Sequence, residues 1–232
     1  MKTLPIILML LSFFKPPGAP SGLPPILSAE TAAAIFSCRV NEEGHAFEPG
    51  AVALLEGSFT ASGRKEAIVS FSDAAQSHDA CPAEIWLLRL VGDTWEPILK
   101  ITESDTAEFA TTDLNGDGVL EILTHTSVQK QGYLVINRQL LYFEGEQPME
   151  LLTFEGFDNT GWPDEGICAF DARFAFKDVN RDAILEIELT EYYDYCRKEG
   201  DESVFERRSE RKTLFRPLIS SSGSIIGIER LK

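Results

Sequence analysis

The sequence predicts an all-β chain of three propeller-blade-like repeats of antiparallel strands, a small or incomplete β-propeller. Three observations predict it. First, two acidic stretches, Asp113-Leu114-Asn115-Gly116-Asp117-Gly118-Val119-Leu120-Glu121 and Asp178-Val179-Asn180-Arg181-Asp182-Ala183-Ile184-Leu185-Glu186, each run into residues of strand-forming type. Second, a degenerate copy ends at Glu66, with Ser58, Thr60 and Ser62 in place of the acids. Third, each copy is followed by a hairpin signal: Gly92-Asp93, Gly145 and Ser222-Gly223. Recurrence of one strand–turn unit at a fixed place is the mark of a repeat architecture, and four short strands per unit is the size of a propeller blade.

In chain order, Met1-Lys2 precedes an apolar run over 4–14 that is too short to span a bilayer. A charged start, a short apolar region and small residues at Ala19, Gly22 and Ala29 read as a secretory signal over 1–29. The mature chain is therefore expected in the periplasm or outside the cell, with no membrane span after processing. Residues 30–56 form an N-terminal segment, with a short helix over 30–35 and a strand over 51–55. Residues 57–232 form a single β-repeat domain, with units at about 50–105, 106–160 and 170–232. Strands are expected after each loop, over 67–71, 122–128 and 187–192. Paired strands follow over 84–90 and 94–101, 139–144 and 150–154, and 213–219 and 224–228. The mixed-charge run 197–212 lengthens the third unit and reads as a solvated hairpin extension.

Hydrophobic residues make up 44% of the chain, and 15 Phe can furnish a core. The net charge of −16 repels nucleic acid and anionic lipid. Cys38, Cys81, Cys168 and Cys196 are an even set in an exported chain, which points to disulfides. Three connectivities exist; Cys38–Cys81 and Cys168–Cys196 are favoured because each pair brackets one loop. No Cys-x-x-Cys offers a zinc or redox site. The three histidines belong to no hydrolase or metalloprotease motif, and no phosphate loop is present, so the expectation is a binding protein rather than an enzyme.

The loop 113–121 has the chemistry of a Ca2+ site. Hard cations take oxygen ligands, and alternate residues of a tight bend point inward. Asp113, Asn115 and Asp117 supply side-chain oxygens, Val119 a carbonyl, and Glu121 the closing carboxylate, while Gly118 permits the turn. An EF-hand would close on an acid where Thr124 stands and would be flanked by helices.

This Asp-x-Asn-x-Asp-Gly-x-x-Glu loop entering a strand resembles the FG-GAP, or integrin-α-like, calcium repeat and the similar bacterial VCBS-type repeats. The resemblance implies a structural Ca2+ at each blade's first turn. Its ligands would be Asp113, Asn115, Asp117, Val119 and Glu121, and likewise Asp178, Asn180, Asp182, Ile184 and Glu186. Arg181 and Ala183 replace the glycines of the better loop, so weaker binding or an empty site is expected there, and none at the first copy. The expected role is a calcium-binding interaction module whose partner is a protein or a surface glycan. A periplasmic inhibitor or immunity-type protein, or a cell-wall or polysaccharide hydrolase, are the alternatives.

Overall fold

The computed structural model describes residues 27–36, 48, 53–73, 82–104, 109–130, 133–159, 166–199 and 202–231. The Cys38–Cys81 pairing and almost all of the export segment lie outside the described residues, as do His45 and His78.

One helix, α1 (Ala29–Ile35), is capped by Ser28, whose hydroxyl accepts from the Thr31 N–H at 3.0 Å. Among the described residues, everything else regular is strand. The first unit is β1 (Ala53–Gly57), β2 (Glu66–Phe71), β3 (Ala83–Val91) and β4 (Thr94–Ser104). The second holds β5 (Phe109–Thr112), β6 (Glu121–Lys130), β7 (Tyr133–Glu144) and β8 (Gln147–Asp158). The third holds β9 (Ile167–Lys177), β10 (Glu186–Glu199), β11 (Glu202–Ile219) and β12 (Ile225–Leu231). Turns at Gly92, Gly145 and Gly223, all at positive φ, join the later strands of each unit.

All pairings are antiparallel between sequence neighbours. They give one sheet of four strands, β1 to β4, and one of eight, β5 to β12, and neither closes on itself. The all-β antiparallel expectation is met, but the strands form two sheets rather than three blades. β8 and β9 meet through only two residue pairs, Phe157↔Asp171 and Asp158↔Phe170, and this short seam fuses the second and third units into one sheet. Residues 197–199 and 202–212 of the charged run continue the β10–β11 ladder past the end of β9, with a bulge beside Tyr195. A disulfide between Cys168 and Cys196 ties that extension to β9, in agreement with the favoured pairing.

Two of the buried clusters lie between successive units, and a third, Phe170, Ala172 and Leu189, lies within the third unit. Phe59, Ile68, Ile85 and Leu87 of the first unit share a buried cluster with Ile122 and Phe143 of the second. Leu114, Leu123, Leu140 and Leu151 of the second share one with Ile187 and Ile225 of the third. Burial of each such side chain is worth about 1.5–3 kcal/mol.

The two ends of this array differ. On the first unit, Leu27, Ala32 and Phe36 from the helical segment cover Val69, Phe71 and Leu88. On the third, no described element covers the outer face, and its residues have changed accordingly. The place of buried Phe59 and Leu114 is taken by Val179, which is 57% exposed. The place of buried Ile68 and Leu123 is taken by Glu188, which accepts an ion pair from Lys177 at 2.6 Å.

Candidate cation site

The three loops are built by one rule. In each, the closing glutamate is the first residue of a strand and is buried: Glu66, Glu121 and Glu186 are 1%, 3% and 1% exposed. In each, the N–H of the loop's second residue donates to that carboxylate. Phe59 donates to Glu66 Oε2 at 2.9 Å, Leu114 to Glu121 Oε2 at 2.7 Å, and Val179 to Glu186 Oε2 at 2.9 Å. The degenerate first copy is therefore the same bend without its acids.

The loops also bind each other. Leu120 N–H donates to the Ser58 carbonyl and Leu185 N–H to the Leu114 carbonyl, each at 2.7 Å. The three bends therefore lie side by side at one end of the array. A cavity of about 520 Å³ opens there, lined by Thr60 of the first unit, by Asp117 and Glu121 of the second, and by the β11–β12 turn of the third.

Within 113–121, Asp113 accepts from the N–H groups of Gly116, Asp117 and Gly118 at 2.7, 3.2 and 3.0 Å. Asp117 Oδ1 accepts from Val119 N–H at 2.8 Å. Gly116 and Gly118 take φ of 72° and 80°. The 178–186 loop repeats this pattern. Asp178 accepts from Asp182 and Ala183 N–H at 3.1 and 3.2 Å, and Asp182 accepts from Ile184 N–H at 3.1 Å. Arg181 and Ala183 take the glycine conformation, both at φ 67°, despite their side chains.

Among the described residues, no group of three or more acids, histidines or cysteines converges as around a metal ion. The loop carboxylates face their own backbone instead. The Asn115 amide donates to Asp117 Oδ2 and to the Gly223 carbonyl, each at 2.8 Å, so it would have to turn to offer its oxygen to an ion. Asp113 Oδ1 accepts two of these bonds, while Asp113 Oδ2 and both Asp117 oxygens accept one each and keep a further lone pair, so the acids are oriented without being exhausted. The donor set suits a hard cation after that adjustment.

The loops differ in what answers the buried glutamate. In the first unit, the register pairs Glu66 with Arg89. Arg89 Nε and Nη2 donate to Glu66 Oε1 at 3.0 and 2.8 Å. In the third, Ile187 pairs with Phe215, which sets Glu186 beside Arg216. Arg216 donates to Glu186 Oε1 at 3.3 Å and to Asp182 Oδ2. In the second, Ile122 pairs with Leu141, which sets Tyr142 beside Glu121. Burial, helped by Asp113 and Asp117, pushes the Glu121 carboxyl up to about 8 against the downward pull of the N–H groups of Leu114 and of Glu121 itself. No arginine contributes. Sequence reasoning found the loops but missed both arginines, which stand 23 and 30 residues from their glutamates.

Comparison of the chain with protein-family models and with curated proteins finds no match.

Proposed function

We propose that this chain is a secreted or periplasmic calcium-binding β-repeat protein, an incomplete propeller of the FG-GAP or VCBS type, that works by binding a protein or a surface glycan. The observation that carries the reading is Glu121. It is a buried carboxylate with two further acids in its loop, and it faces tyrosine where its two counterparts face arginine. Ionising a buried carboxyl without a counter-ion is costly, and a divalent cation bound by oxygen ligands is the partner this loop fits. Asp113, Asn115, Asp117, the Val119 carbonyl and Glu121 would hold the ion. Bound there, it would fix the bend that contacts the loops on either side, and with it the cavity at that end of the array. Loops at one end of a rigid β-scaffold are where partners are commonly engaged.

The test is thermal unfolding in millimolar calcium and in chelator. Wild type should melt higher with calcium, and Asp117→Ala should remove most of that gap. Identical melting of wild type in both conditions sinks the proposal. For the binding role, the exported protein should retain one stoichiometric partner or glycan in calcium and release it in chelator.

A further inference from the structure

We infer that Arg216 is the resident cation of the 178–186 loop and Arg89 that of the 58–66 loop, so that the chain carries one divalent-ion site rather than two. The inference rests on the proposed ion at 113–121 and deepens it by saying which loops respond to calcium.

Three observations carry it. The first is position: Arg89, Tyr142 and Arg216 occupy the same register place, beside the closing glutamate, in the three units. An arginine occurs there in the first and third units and not in the second. The second is contact. Arg216 spans Asp182 and Glu186, two of the oxygens that a third-loop ion would need. A guanidinium is planar, always charged and forked, so it can bridge two carboxylates as an ion would. The third is the matching of charge to loop. The first loop has lost its acids and keeps only Glu66, and one guanidinium neutralises it. Arg89 also reaches Glu146 in the second unit's turn at 2.5 Å, so this lock ties two units together.

The third loop retains the acids Asp178, Asp182 and Glu186 but has taken the arginine. It also has Arg181 and Ala183 where glycine suits the bend. These changes agree: a loop held by a tethered cation no longer depends on an ideal ligand cage. Calcium would then act only on the central bend, flanked by two units whose bends are locked permanently. Its removal should loosen that bend and the cavity it lines, and leave the outer bends in place.

The experiment compares wild type with Arg216→Gln, using calcium alone as probe, by equilibrium dialysis and by melting in chelator and in millimolar calcium. Wild type should bind one equivalent. R216Q should melt about 3–6 °C lower in chelator, bind a second equivalent, and recover most of the loss in calcium. Two equivalents in wild type would overturn the inference while leaving the calcium reading intact. So would an R216Q that melts as wild type in chelator, or one that is destabilised with no second equivalent. None in wild type but one in R216Q would sink the 113–121 site and uphold the arginine's role. Should R216Q fail to fold, Arg216→Lys carries the test. A lysine keeps the charge without the fork, so a lower melting point in chelator with a larger calcium gain supports the inference, and unchanged values of both overturn it.

Discussion

Tyr142 lies beside Glu121 at the register place that arginine fills in the two other units, and both residues line the cavity at the loop end of the array. The neighbouring units show what a cation at this place does. Tyr142→Arg should therefore supply the second loop with a tethered counter-ion. In chelator it should melt higher than wild type by about 2–4 °C, roughly 1 kcal/mol for a chain of this size. Its gain from calcium should shrink in step. A variant that keeps the full calcium gain would show that a guanidinium cannot stand where the ion is proposed.

A second prediction concerns the residue after each loop's start. Phe59 and Leu114 enter the clusters formed with the next unit, whereas Val179 is 57% exposed. Truncating the buried pair leaves cavities. Phe59→Ala should cost about 3–5 kcal/mol and Leu114→Ala about 2–5 kcal/mol. Val179→Ala should stay within about 0.5 kcal/mol, as surface changes do. Urea unfolding midpoints distinguish these, and a large loss from Val179→Ala would mean that the third unit's outer face is covered in solution.

These residues also show what was legible in the sequence. The loops, the strands after them and the Cys168–Cys196 bridge were readable because their signals are local or come in pairs. The change of face was written there too: Ile68, Leu123 and Glu188 follow their closing glutamates by the same two steps, and only the last is charged. It was missed because nothing in one strand reveals which face meets a neighbour. The arginine locks were hidden more deeply. Arg89 and Arg216 lie on the strand after the one their glutamate begins, and hairpins of unequal length separate them. Only the register aligns them. The fused sheet had no signal at all, because two residue pairs between β8 and β9 decide it.

The first lock gives the chain an acid sensitivity. Burial pushes the Glu66 carboxyl up, but the Thr60 hydroxyl and N–H, the Arg89 guanidinium and the Phe59 N–H outweigh it and hold the group below its ordinary 4.5. A carboxyl that is lower in the folded chain contributes stability above its unfolded pKa and loses it as pH falls through the folded value. The melting temperature should drop as pH falls from about 5 towards 3. Glu66→Gln should start lower at neutral pH and fall less over the same window. Parallel melting curves for the two proteins would show that this carboxylate is not part of the acid response.

The matched bends make a last comparison possible, because the same left-handed position is Gly118 in one loop and Ala183 in the other. A Cβ there costs roughly 1–2 kcal/mol against the backbone alone. At Gly118, with φ 80°, it would also meet Ser62 Oγ at 2.7 Å, across the contact between the first and second loops. Gly118→Ala should therefore destabilise by about 1–2 kcal/mol or more. Its cost should persist in chelator, because the strain and the clash exist without an ion. Ala183→Gly should do the reverse. It relieves the strain already present at φ 67°, less the entropy that glycine adds to the unfolded chain, and should raise stability by about 0.5 kcal/mol. Arg216 still holds the third loop in that variant, so the gain should be the same with calcium and without. A gain that appears only when calcium is added would mean that restoring the glycine opens the third loop to an ion in spite of its arginine.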